Sequence, residues 1–185
     1  MRDINRRSFL AVVGGTVAWH ILDAQAQSRG PVTIMLMRHS EDIGETDVHL
    51  SPQGYQRAEA LPQLFSSRLP TPQVIIATRA SKGSNRPVET VEPLSRHLHL
   101  RIDRRFRDDD YQALAHALLT DERYTGKVVL VCWHHGKIPN LAKALCVQGA
   151  PRWPDAQFDR VWVIDPRRTP PAFADVHQLL LDGDR

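Results

Sequence analysis

The sequence predicts an α/β fold built on an open, mostly parallel sheet, and three observations lead there. Short, nearly continuous apolar runs occur at residues 32–37, 74–77 and 128–132, the pattern of strands covered on both faces. Helical patterns alternate with these runs, which asks for crossover connections between parallel strands. The chain has 185 residues, 42% hydrophobic and 24% charged, the size and balance of one globular domain with its own core. A sheet of this kind gathers its ligands at the carboxyl ends of the strands.

Ahead of the first strand, Arg2, Arg6 and Arg7 precede an apolar stretch at 9–22 and the triplet Ala24-Gln25-Ala26, the three-part layout of a secretory signal. The stretch is too short to serve as a permanent bilayer anchor. Asn5-Arg6-Arg7-Ser8-Phe9-Leu10 resembles the twin-arginine signal, which an export machinery reads to carry folded chains across the bacterial inner membrane. Cleavage is expected after Ala26. Residues 1–26 are therefore read as a signal peptide and 27–185 as one domain acting in the periplasm without a stable membrane anchor.

The helices follow from their punctuation. One begins at Ser51-Pro52 and runs to about Phe65, and a second opens at Pro87 and runs to about Leu98; proline sits early in each, where its missing N–H costs nothing. A third covers about 111–119, behind Asp108-Asp109-Asp110, whose charges suit the positive end of a helix dipole. A fourth covers about 139–145. The tail reads as a strand pair at 161–164 and 173–181, separated by a proline-rich break and closing one sheet edge.

Net charge is +3, with basic residues scattered rather than gathered into a stripe, so no nucleic-acid partner is expected. Cys132 lies in an apolar strand and Cys146 near the end of a helix pattern, and both are read as buried free thiols. Among the nine histidines no pair has the His-Glu-x-x-His spacing of a helical metal site.

Three segments carry the candidate chemistry. Met37-Arg38-His39-Ser40-Glu41 stands where the first strand ends, so Arg38 and His39 are presented at the ligand edge of the sheet. Arg96-His97 repeats that dipeptide at a helix end with no sign of a site, so position after the strand is what distinguishes the first pair. Ala77-Thr78-Arg79 and then Arg86 lead from a second strand into a helix start, where free N–H groups and a positive dipole end suit an anion. Trp133-His134-His135-Gly136 ends the third strand, and strand alternation allows one of the two histidines to face the site.

Taken in order, Arg38-His39, the segment Leu50-Ser51-Pro52-Gln53-Gly54-Tyr55 with Ala58, Arg86-Pro87-Val88-Glu89-Thr90, and His135-Gly136 resemble the histidine phosphatase superfamily, the phosphoglycerate mutase-like group. The resemblance spans nearly all of the chain after Ala26. It implies a three-layer α/β/α sandwich and hydrolysis of a small phosphorylated substrate, with no metal or other cofactor. It assigns His39 as the phosphorylated nucleophile, Arg38 and Arg86 as phosphate-binding residues, and His135, preferred because Gly136 follows it, as the second histidine of the pocket. The chemistry of the residues agrees. Two forked guanidiniums supply charge against the transferring oxygens, and a neutral imidazole is a good nucleophile near neutral pH. The flanking arginines would repel a metal ion.

The proton donor is the least determined element. No Asp follows His135 directly, and the expected place for the acid holds Asp108, Asp109 and Asp110, of which Asp109 is favoured; helix capping is the competing role for all three. Glu41 and Glu89 are expected to partner arginines, and Thr78, Arg79, Lys82 and Ser84 to lie in a solvated loop beside the site. Little sequence separates the strands, so an open pocket without a lid is expected. Two other functions use the same pocket: a phosphotransferase or mutase returning the group from the same histidine, and a phosphate-binding or sensing module with weak or lost catalysis.

Overall fold

The computed structural model describes residues 30–44 and 47–184. The segment read as an export signal, and the boundary after Ala26, lie outside the described residues.

Six strands form one sheet: β1 (Thr33–Arg38), β2 (Val74–Ala77), β3 (Ile102–Asp103), β4 (Val128–Trp133), β5 (Arg160–Asp165) and β6 (Ala172–His177), in the order β3-β2-β4-β1-β5-β6. The four from β3 to β1 are parallel, and β5 and β6 add antiparallel pairs at the β1 edge. The four main helices are α1 (Pro52–Ser67), α2 (Arg86–Leu98), α3 (Tyr111–Thr120) and α4 (Ile138–Ala144), with short 3-10 turns at Asp108–Asp110 and Glu122–Tyr124.

The period-two alternation of the strands sorts their side chains into two cores. Met35, Met37, Ile75, Ala77, Leu130 and Cys132 pack with Leu61, Leu64 and Phe65 of α1 and Val91 and Leu94 of α2. Their chain neighbours Ile34, Leu36, Ile76, Val129, Val131 and Trp133 point the other way, onto Leu114 and Leu118 of α3 and Ile138 and Leu141 of α4. This is the three-layer α/β/α arrangement. The central strands are apolar throughout because both faces are covered.

Local signals place the helix starts. Ser51 caps α1 by accepting from the Gly54 amide at 3.1 Å, and Pro52 follows at the first helical position. Gly54 has a further reason to be glycine: a Cβ there would run into the backbone of Glu41, whose carbonyl carbon and amide nitrogen would lie 3.1 Å away. The turn after β1 thus packs directly on the first turn of α1. Arg57 completes that junction. It is 2% exposed and donates to Glu41 at 2.6–3.0 Å and to Asp184 at 2.7–2.8 Å, tying the end of the chain to the segment after β1.

Three expectations need correction. The two-residue β3 carries too short an apolar run to register as a strand. β6 stops at His177, because Leu179 adopts a left-handed backbone with φ 52° and turns the chain out of the ladder. Cys132 is buried, and burial raises its thiol pKa, but Cys146 is exposed: α4 ends before it, and its own φ of 65° carries it off the helix.

Candidate active site

The sheet order sets the site. β4 lies between β2 and β1, in parallel register with both, and Arg38 pairs with Trp133 across β1 and β4. His39 and His134 therefore leave adjacent strand ends side by side, and the His39 amide donates to the Trp133 carbonyl at 3.1 Å. The turn after β2 delivers Arg86 as the first residue of α2 to the same edge. Here Arg38, His39, Asp42, Arg86, His134, His135, Asp155 and Phe158 line a cavity of about 340 Å³.

His39 is 2% exposed, and its Nδ1 lies 2.7 Å from the Ser40 carbonyl oxygen. A carbonyl can only accept, so Nδ1 carries the proton and Nε2 keeps its lone pair. Burial drives the imidazole pKa down to about 2, against the raising effect of the Ser40 carbonyl and with added lowering from Arg38, His134 and Arg86. His134 meets His39 edge to face, ring centroids 5.3 Å apart, and its pKa falls to about 4, through burial first and then Arg86, His135 and Arg38. His135 stands nearer the rim. Burial and Arg38 lower its pKa, and its Nε2 is 3.4 Å from Asp155 Oδ1.

The positive charge is held by a different set of contacts. Arg38 donates from Nη1 to the Asp155 carbonyl, and its guanidinium lies 3.8 Å from the centre of the Phe158 ring. Burial lowers its pKa to about 10, which leaves it charged at neutral pH. Arg86 is held by Ser84, whose Oγ accepts from Nε at 3.2 Å, and its Nη1 donates to Asp42 Oδ2 at 2.9 Å. Two fixed cations beside neutral imidazoles suit a small, multiply charged anion.

The four residues Arg38, His39, Arg86 and His135 that the sequence singles out all line this cavity. Strand alternation was the wrong guide for the histidine pair: β4 ends at Trp133, so His134 and His135 begin a turn and both reach the cavity. A Cβ on Gly136 would meet open space, whereas His134, two residues before it, is the one packed on His39.

Asp109 is not at the cavity. Its carboxylate is 83% exposed and paired with Lys137 at 2.6 Å, because the 3-10 turn before α3 points it to solvent. Asp110 caps the same turn, accepting from the Arg107 amide at 2.8 Å. The Asp108 carboxyl is raised to about 6 by burial, its carbonyl accepts from Trp133 Nε1 at 3.2 Å, and it too is absent from the cavity lining. Glu41 partners Arg57 as expected, but Glu89 accepts from His49, Tyr55 and the Leu50 amide rather than from an arginine. Ser84 is buried against Arg86, Thr78 is buried and Lys82 is exposed, so the loop after β2 is only partly solvated. Arg79 reaches the Arg105 carbonyl at 2.8 Å.

Besides Gly44, four lining residues carry side chains that the sequence reading does not assign to the site. Asp42 stands three residues past His39 and was within reach of a reading of that turn. His134 is the histidine that the His-Gly pattern passes over. Asp155 and Phe158 carry no local signal: they come from the segment between α4 and β5, anchored where buried Trp153 packs against Trp162, ring centroids 5.0 Å apart and tilted by 46°. That segment forms one wall of the cavity. A larger cavity of about 640 Å³ adjoins it at Phe158, lined by Arg57, Glu41 and Asp184, which are already bound to one another. Among the described residues, no cluster of three or more His, Cys, Asp and Glu is disposed to hold a metal ion.

No protein-family model matches the chain, and no curated protein does. Solved structures do. A SixA structure from Agrobacterium tumefaciens is 17% identical with a TM-score of 0.52, covering 79% of this chain and 98% of that one. A protein histidine phosphatase SixA complexed with tungstate is 14% identical with a TM-score of 0.57, covering 79% and 97%. Phosphoglycerate mutase from Bacillus anthracis is 14% identical with a TM-score of 0.52, covering 80% and 94%. The fold is that of the phosphoglycerate mutase-like proteins.

Proposed function

We propose that this protein is a phosphomonoester hydrolase that works through a phosphohistidine on His39. The observation that carries this reading is the tautomer. Nδ1–H is committed to the Ser40 carbonyl, which leaves an unprotonated Nε2 at a cavity containing Arg38 and Arg86. Structural neighbours described as a protein histidine phosphatase, a glucosyl-3-phosphoglycerate phosphatase and a phosphoglycerate mutase support the same chemistry.

In the first step an Nε2–P bond forms as the P–O bond to the leaving group breaks, with charge on the equatorial oxygens held by the two guanidiniums. His39 is buried behind the phosphoryl position, so an in-line leaving group departs toward the rim. There His135 and Asp155 face each other at 3.4 Å; the bound phosphate anion beside His135 favours its protonated form, and the pair then gives that proton to the leaving oxygen. In the second step the same pair takes a proton from water, whose oxygen bonds to phosphorus as the Nε2–P bond breaks. Phosphate leaves and His39 is again neutral. His134 completes the pocket. No step requires a metal or other cofactor, and the substrate is a small phosphorylated molecule. The N-terminal sequence supports delivery to the periplasm by the twin-arginine route.

His39→Ala tests the reading. Turnover of an aryl phosphate should fall by at least about a thousandfold, the order expected when a covalent nucleophile is removed. Undiminished turnover would refute it. The displacement of Asp109 from the cavity favours one second reading, a phosphate-binding module without efficient catalysis. Vanadate binding by the wild type with no turnover on any phosphomonoester would establish that reading instead.

A further inference from the structure

We propose that Asp42 is an internal anion that competes with the incoming phosphoryl group for the position in front of His39, and so sets how tightly this pocket holds phosphate. The inference rests on the reading of the cavity as a phosphoryl site. Its basis is one atom. Asp42 Oδ2 lies 2.9 Å from Arg86 Nη1, 3.7 Å from Arg38 Nη2 and 3.8 Å from His39 Nε2. A phosphorus atom attacked by Nε2 must approach to about 3–3.5 Å, with its oxygens in hydrogen-bonding reach of the same guanidiniums. Carboxylate and phosphoryl group therefore claim one space and one set of donors.

A counterion that served only to orient the arginines would sit behind or beside them. This oxygen instead stands before the lone pair of the nucleophile. The backbone of Asp42 is fixed by a bridge to Leu50, while its side chain, 15% exposed on the cavity wall, is held among the described residues by one hydrogen bond, from Arg86. Rotation of that side chain clears the position without moving the chain. Because the competitor is covalently attached, it is present at high effective concentration and taxes every phosphate that binds. Free phosphate, which has no other contacts to offer, is held weakly and released readily. A substrate recovers affinity through the rest of its structure.

The test is calorimetric titration of the wild type, Asp42→Asn and Asp42→Ala with inorganic phosphate at constant ionic strength, with circular dichroism to establish that each variant is folded. Two like charges at this separation predict that both variants bind phosphate more tightly, by about tenfold to several hundredfold. The inhibition constant for phosphate should fall in parallel. Unchanged or weaker phosphate binding in folded variants would overturn the proposal and make Asp42 an orienting counterion, while leaving His39 as nucleophile untouched. Failure of all three proteins to bind phosphate, with aryl phosphate turnover surviving in His39→Ala, would overturn the phosphoryl reading of the cavity and this inference with it.

Discussion

Acidification should loosen this fold through two imidazoles, and the size of the effect can be worked out. His39 has a folded pKa of about 2 and His134 of about 4, both set first by burial, against an ordinary value of 6.5. A histidine with a depressed folded pKa is protonated more readily in the unfolded chain. Its contribution is intact above 6.5 and is lost as pH falls below it. Between pH 7 and pH 5 each imidazole would account for about 2 kcal/mol from the linkage relation, with His134 giving the smaller share because it is only partly buried. Asp108 acts with the opposite sign. Its folded pKa is raised to about 6, so its protonation favours the fold over this range, by no more than about 1 kcal/mol after discounting for partial exposure. The net expectation is a loss of about 2–3 kcal/mol, or a fall in Tm of roughly 5–10 °C for a domain of this size. Thermal unfolding followed by circular dichroism at pH 7, 6 and 5, on the wild type and on the double variant His39→Asn, His134→Asn, measures it. The variant should show little of the decline. If it loses as much as the wild type, the buried imidazoles are not the source.

Other perturbations separate structure from chemistry. Arg57→Ala leaves Glu41 and Asp184 as facing carboxylates in a buried junction and should cost about 3–5 kcal/mol in urea unfolding, with Arg57→Lys recovering part of it. Gly54→Ala drives a methyl group into the backbone of Glu41 and should cost about 2–4 kcal/mol with reduced activity, while Gly136→Ala, which meets open space, should be within about 0.5 kcal/mol of wild type in the same assay. Asp109→Asn removes an exposed pair with Lys137, so stability should change by less than about 1 kcal/mol and kcat by less than about twofold; a large loss of kcat would return Asp109 to the mechanism.

The alternation of apolar runs with proline-opened helices was enough to read the α/β class, the three central parallel strands and the four main helices from the chain alone. Those features depend on local periodicity and on which backbone conformations proline and serine prefer, and both act over a few residues. Arg38, His39 and Arg86 were legible for a related reason. Each sits at the end of a strand or the start of a helix, and in a parallel sheet such positions converge on one edge whatever the remaining contacts are.

What required the folded chain was everything set by approach from a distance. That His134 and His135 both reach the cavity follows from where β4 lets go of its register, which no spacing rule states. Asp109 looked suited to catalysis by type and by place in the order, but the direction of a short 3-10 turn sends it to Lys137 and solvent. Asp155 and Phe158 belong to a segment anchored where Trp153 packs on Trp162 of β5, a contact between segments with no local reason to meet. Asp42 was in plain sight, and its carboxylate oxygen in front of His39 emerged only from geometry. Backbone preference is local and can be read along the chain. Side-chain convergence is non-local, and packing decides it.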